Sequence, residues 1–155
     1  MASVSASLEM AAPAERVFAL VTELSRMGEW SPENVGGQWV QGATGPARGA
    51  RFSGHNRNGK RSWTTTCHVV EFEAPARFAF HVTAGPFRIS RWEYRIEPTE
   101  AGCRVTETWT DRRNPLMAKL GGVFSGVTDR ATFNRTSIES TLLRLRTTAS
   151  ATATA

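Results

Sequence analysis

Cysteine, lysine and tyrosine are all scarce in this 155-residue chain, which has 2 Cys, 2 Lys and 1 Tyr. Cys67 and Cys103 are too few for a disulfide framework, and neither stands in a C-x-x-C or other metal-like spacing, so both are expected as buried thiols. No run of about 18 apolar residues occurs, which excludes an integral membrane helix. The opening Met1-Ala2-Ser3-Val4 lacks the basic region and apolar core of a secretion signal, so a cytoplasmic location is the expectation. Also missing are a Walker loop, a Rossmann glycine pattern, an H-E-x-x-H helix and a nucleophile elbow. Cations outnumber acids to give a net charge of +5, yet the 17 arginines are scattered rather than clustered. Without a nucleic-acid motif, that balance does not predict nucleic-acid binding.

What the chain does contain is alternation. A hydrophobic content of 40% with 21% charge is that of an ordinary globule, and the length fits one domain, taken as residues 1–147 with a disordered Thr, Ala and Ser tail at 148–155. Val4, Ala6, Leu8 and Met10 alternate with Ser3, Ser5, Ser7 and Glu9, a half-buried strand. Ala12-Pro13-Ala14-Glu15 opens a short helix with Val17, Phe18, Leu20, Val21 and Leu24 on its apolar side. The aromatic and acidic stretch Met27–Glu33 is expected as a structured loop or second short helix.

From Val35 to Asp111 the pattern is strands joined by short turns. Asn58-Gly59 is expected as a two-residue hairpin turn, which pairs Asn56 with Arg61, Gly54 with Trp63 and Phe52 with Thr65. Those residues, with Cys67 and Val69, form the inward set. Phe78, Phe80 and Val82 follow on the next strand, then Trp92, Tyr94 and Ile96 opposite the charged Arg91, Glu93, Arg95 and Glu97. A four-residue loop over Pro98–Ala101 would set Trp92 against Glu107, Tyr94 against Val105 and Ile96 against Cys103, leaving a carboxylate among aromatics. His55, His68 and His81 all fall on the outward side, so no metal site is expected.

The longest periodic stretch is Asn114–Arg146. Leu116, Leu120, Val123, Val127, Ala131, Ile138, Leu142 and Leu145 recur at helical spacing, with Asn114 as N-cap and Pro115 at the first helical position. Unbroken, that helix would run about 45 Å. Gly121, Gly122 and Gly126 weaken its start, and a bend is expected there. Asn134 falls on the apolar face, either bonded to backbone or water, or offering a polar contact inside a ligand cavity.

The order strand, short helices, six antiparallel strands and long C-terminal helix resembles the START-like helix-grip superfamily, also called SRPBCC. Pro13-Ala14-Glu15-Arg16-Val17-Phe18, Glu73-Ala74-Pro75-Ala76-Arg77-Phe78-Ala79-Phe80 and Gly102-Cys103-Arg104-Val105-Thr106-Glu107-Thr108-Trp109 carry the likeness. It looks most like the polyketide cyclase/dehydrase and lipid-transport branch. The resemblance implies an α+β fold: a curved seven-stranded antiparallel sheet wrapped around the C-terminal helix, two short helices after the first strand, and a hydrophobic cavity between sheet and helix. It implies a hydrophobic small-molecule partner, polyketide or lipid, and a monomer or homodimer. Some members cyclise or dehydrate their ligand, and others only carry it, so fold alone does not decide.

If the chain is a catalyst it needs no cofactor, and Glu107 is the candidate acid or base, its carboxyl raised toward neutrality by burial. The competing view pairs Glu107 with an arginine or leaves it in solvent, and Asp111 is expected to be more exposed. Phe52, Asn56, Trp63, Phe80, Trp92, Tyr94, Trp109 and Asn134 are the candidate ligand contacts. The two amides could orient a carbonyl or serve only as structural hydrogen-bond partners. Five tryptophans, with Trp30 and Trp39 beside the three named, supply either an aromatic lining or plain core. Glu29 and Glu33 fall in the loop that the resemblance places at the cavity mouth, where acids are more often solvated than functional.

Overall fold

A computed structural model describes residues 2–153. Strand β1 (Ser3–Met10) leads into helix α1 (Ala14–Thr22) and a 3-10 helix, Leu24–Glu29. Six strands follow: β2 (Asn34–Val40), β3 (Arg51–Asn58), β4 (Arg61–Glu73), β5 (Arg77–Ala84), β6 (Phe87–Thr99) and β7 (Gly102–Asp111). Helices α2 (Pro115–Ser125) and α3 (Arg130–Ala153) close the chain. The strands form one seven-stranded sheet in the order β1-β7-β6-β5-β4-β3-β2, antiparallel throughout. Register shifts at Asn34/Gly36, Val69/Glu71 and Val82/Thr83 interrupt three of the ladders. Such bulges bend strands, and here they help curl the sheet around the helices.

Alternation sorts the two faces as expected. Phe52, Thr65, Cys67 and Val69 are buried on the concave side, whereas Ser62 and Thr64 are exposed and Thr66 and His68 half-buried on the other. The convex side of β4–β6 carries an ion-pair network, with Arg91 2.9 Å from Glu71 and 2.7 Å from Glu93. His68 and His81 are cross-strand neighbours on that same outward side.

Both expected hairpin registers are wrong by two residues. The β3–β4 turn is Gly59-Lys60, with Asn58 paired to Arg61, Asn56 to Trp63 and Phe52 to Cys67. Gly59 takes φ +61° at the first central position, where a II′ turn calls for glycine. The β6–β7 strands likewise extend through Thr99 and Gly102, not stopping at a four-residue loop, so Trp92 faces Trp109, Tyr94 faces Glu107 and Ile96 faces Val105. A slip of two preserves every side-chain face, because the strand period is two.

The C-terminal helix is interrupted more fully than a bend. Asn114 caps α2 by accepting the Met117 N–H at 2.8 Å, and Gly126 ends it with φ +75°. Helix α3 then packs mainly against β1. Ile138, Leu142, Leu145 and Ala149 are each at most 1% exposed. The stretch expected as a disordered tail from residue 148 is helical through Ala153, because Ala149 continues that buried series at helical spacing. Residues 154 and 155 lie outside the described range. The rest of the core comes from α1, from Leu24 and Trp30, and from the concave side of the sheet.

Candidate functional site

Between the concave sheet, α3 and α2 lies a cavity of about 470 Å³. Its aromatic walls are Trp63, Phe80, Trp92 and Trp109 from β4 to β7, and Met117, Leu120 and Phe124 of α2 cover one side. A space of that size and lining suits a drug-sized apolar molecule held by a few polar groups.

Two of those polar groups form a buried pair. β6 and β7 set Tyr94 directly opposite Glu107, and the Tyr94 hydroxyl donates to Glu107 Oε1 at 2.9 Å. Both residues are nearly inaccessible, at 4% and 3% exposure, while Glu107 Oε2 finds no hydrogen-bond partner among the described residues. Burial raises the Glu107 carboxyl to about 8, although the Tyr94 hydrogen bond pulls the other way. Burial, followed by the adjacent carboxylate, drives the Tyr94 phenol well above its ordinary value. With a value of about 8 the acid form predominates at neutral pH. Since Oε1 accepts from Tyr94, the proton belongs on Oε2. Cys67 also lines the cavity, but burial pushes its thiol up to about 12, which removes it as a nucleophile.

The remaining polar groups include a stripe on α3. Arg130, Asn134, Ser137 and Thr141 all face the cavity, while Ile138, Leu142 and Leu145 face the core on the adjoining side. Asn134 is 3% exposed and makes no side-chain hydrogen bond among the described residues. The Asn56 amide donates to Thr65 Oγ1 at 3.0 Å. Nearer the α2 end, Arg130 Nη1 donates to both Glu33 oxygens at 3.0 and 2.9 Å, and Arg113 grips Asp111 through Nε and Nη2 at 2.9 and 2.7 Å. Desolvation outweighs Arg130 and raises the Glu33 carboxyl; at Asp111 the Arg113 hydrogen bonds outweigh desolvation and lower it.

Of the residues expected at the site, Asn56, Trp63, Phe80, Trp92, Tyr94, Trp109, Asn134 and Glu107 line this one cavity. Phe52 does not. It is fully buried and meets Trp39 edge-on at 5.3 Å, because β2 pairs beside β3 with Trp39 directly opposite Phe52. Trp30 and Trp39 are likewise outside the lining. Glu29 pairs with Arg26 at the surface, whereas Glu33 reaches the cavity. Asp111 is half-buried and ion-paired. Thr65, Ser90, Arg113, Arg130, Ser137 and Thr141 are cavity residues absent from the contacts expected of the sequence. The spacing of 130, 134, 137 and 141 is the available signal for α3, hidden by counting turns through an unbroken helix from Leu116.

A curved antiparallel sheet closed by helices over an apolar cavity with one buried carboxyl defines a helix-grip protein built to enclose a hydrophobic molecule. The chain belongs to the family described as polyketide cyclase / dehydrase and lipid transport, whose model matches residues 1–150. It is similar to the polyketide-cyclase-like protein Cgl2372 from Corynebacterium glutamicum, with 32% identity, a TM-score of 0.63, and coverage of 93% of this chain and 88% of that one. Protein TTHA0849 from Thermus thermophilus shares the fold at 20% identity, with a TM-score of 0.70 over 97% of this chain and 99% of that one. So does the di-domain ARO/CYC StfQ of the steffimycin biosynthetic pathway, at 13% identity and a TM-score of 0.74, where 99% of this chain matches 52% of that one. No curated protein matches the chain at a significant level.

Proposed function

We propose that the cavity binds a polyketide-like hydrophobic molecule and that Glu107 acts on it as a cofactor-independent acid catalyst of cyclisation and dehydration. The observation that carries this is the Tyr94–Glu107 pair, a buried carboxyl whose Oε2 has no partner among the described residues, set in an aromatic cavity wall. In an aldol closure, Oε2 gives its proton to the carbonyl oxygen as an enol carbon of the same chain bonds to the carbonyl carbon. The enol then loses its hydroxyl proton, which restores the acid. Dehydration repeats the donation, to the new hydroxyl, which leaves as water as the adjacent carbon surrenders its proton to the Glu107 carboxylate, restoring the acid. The aromatic walls supply confinement of a flexible chain, and Asn134 supplies an amide donor for a second oxygen.

A carrier of lipids or hydrophobic metabolites is the second reading. It is favoured by the way other cavity groups satisfy one another: Asn56 with Thr65, Arg113 with Asp111, and Arg130 with Glu33. Mass spectrometry of gently purified protein, native and then solvent-extracted, separates the two. A discrete polyketide-like molecule supports the catalyst, and its linear precursor becomes the assay substrate. A mixture of fatty acids or phospholipids, released unaltered, supports the carrier.

A further inference from the structure

Helix α2 is turned inside out. Leu116, Leu120, Val123 and Phe124 are 66%, 43%, 70% and 72% exposed, whereas Ser125 near its end is buried. At about 100° per residue, the four large apolar side chains fall within a single outward arc. A helix packed as core would place them inward. Phe87, 47% exposed at the β5–β6 turn, joins Leu120 and Phe124 as residues that both line the cavity and reach solvent. The apolar face is thus also the cavity mouth.

Cations flank it. Lys119 stands exposed on α2 itself. The β3–β4 hairpin reaches the end of α2, where the Asn58 amide donates to the Ser125 carbonyl at 2.8 Å and Arg61 lies against Gly126. That hairpin carries Lys60 at its turn and Arg61 beside it, both exposed. The segments 57–61, 85–88 and 114–126 contain no Asp or Glu. Of the nearest acids, Asp111 and Glu33 are ion-paired, and Asp129 accepts hydrogen bonds from Thr132 at the start of α3.

We infer that the α2 face docks on an anionic phospholipid bilayer, with its apolar side chains in the headgroup boundary and the flanking cations on lipid phosphates. Short helices that lie in the membrane plane combine these two features, and each basic residue near an anionic surface adds about fivefold in binding. A convex apolar ridge also suits a fluid surface, which needs no matching groove. Docked this way, the mouth faces the membrane, and a hydrophobic molecule passes between bilayer and cavity without crossing water. The inference is independent of the chemistry assigned to Glu107.

Co-sedimentation with vesicles of phosphatidylcholine, with and without phosphatidylglycerol, tests it on the full chain. The wild type is expected to sediment with the anionic vesicles at least about tenfold more than with the neutral ones, and less as salt rises. Leu116→Asp with Val123→Asp, both outside the cavity lining, should abolish binding, and Lys60→Glu with Lys119→Glu should reduce it about tenfold or more. Circular dichroism of each variant confirms that the fold is kept. Failure to bind either vesicle, or binding that ignores these substitutions, overturns the inference. So does a wild-type dimer in light scattering that the Leu116 and Val123 changes dissociate, since a second copy would then cover the face.

Discussion

Glu107 carries two separable predictions, one on turnover under the catalytic proposal and one on stability. Under the catalytic proposal, Glu107→Gln keeps the shape and hydrogen-bonding capacity of the site but has no proton to give, so turnover should fall by about 100-fold or more while ligand affinity changes little. Unchanged turnover of the linear precursor would remove Glu107 from the chemistry. The rate of the wild type should also fall as pH rises through about 8, where the acid ionises. Stability follows the same proton. Because the folded carboxyl sits at about 8, above its ordinary 4.5, the folded state binds the proton more tightly, and the Glu107 contribution to stability is full below 4.5 and is lost as pH rises to about 8. Urea titrations of wild type and Glu107→Gln should therefore diverge across that window, with the wild type losing on the order of several kcal/mol more than the variant. Tyr94→Phe removes the hydrogen bond that lowers the Glu107 carboxyl, so an NMR titration should find it further above about 8. At this scale the sequence is legible where alternation decides: it puts Glu107, Tyr94 and three tryptophans on the correct wall. It does not show that Tyr94 is the partner, because that depends on a hairpin register two residues from the expected one.

Among the elements, the Gly126 break governs what the helices do. Gly126→Ala would put a β-carbon into a left-handed backbone and within 2.7 Å of the Arg61 guanidinium, and should cost about 1 to 2 kcal/mol in a denaturation midpoint comparison. Leu145→Ala, in the fully buried series of α3, should cost about 2 to 5 kcal/mol by the same measurement. Asn134→Leu tests the polar stripe from the opposite direction. An amide that makes no side-chain hydrogen bond among the described residues contributes little to the empty fold, so its replacement should raise stability by about 1 kcal/mol and weaken ligand binding. A drop in stability would mark it as structural. The strands and α1 can be derived from local periodicity, and a slip of two leaves their faces intact. The helices cannot be derived so well. Glycines announce weakness but not the angle at which a chain resumes, and the restart at Arg130 resets the phase on which Asn134 is judged.

At the scale of the whole molecule, the enclosed cavity ties ligand to folding. A molecule bound only by the folded state should raise unfolding free energy by about 2.7 kcal/mol at about 100 times its Kd, which thermal scans with the extracted ligand would detect. Helix-grip architecture is legible in the sequence because element order and alternation are properties of long stretches. The inside-out α2 is not, since its leucines have the spacing of a core helix and only the three-dimensional packing shows them facing outward. One further consequence follows from the sheet order. β1 is bonded along one edge to β7, pairing Ser3 with Thr110, and its concave side is covered by α3. A ribosome adding about 5 to 20 residues per second completes β7 only about 5 to 20 seconds after β1. Strand β1 thus waits without its sheet partner until β2 to β6 have been made, and the cavity closes as one late event rather than strand by strand.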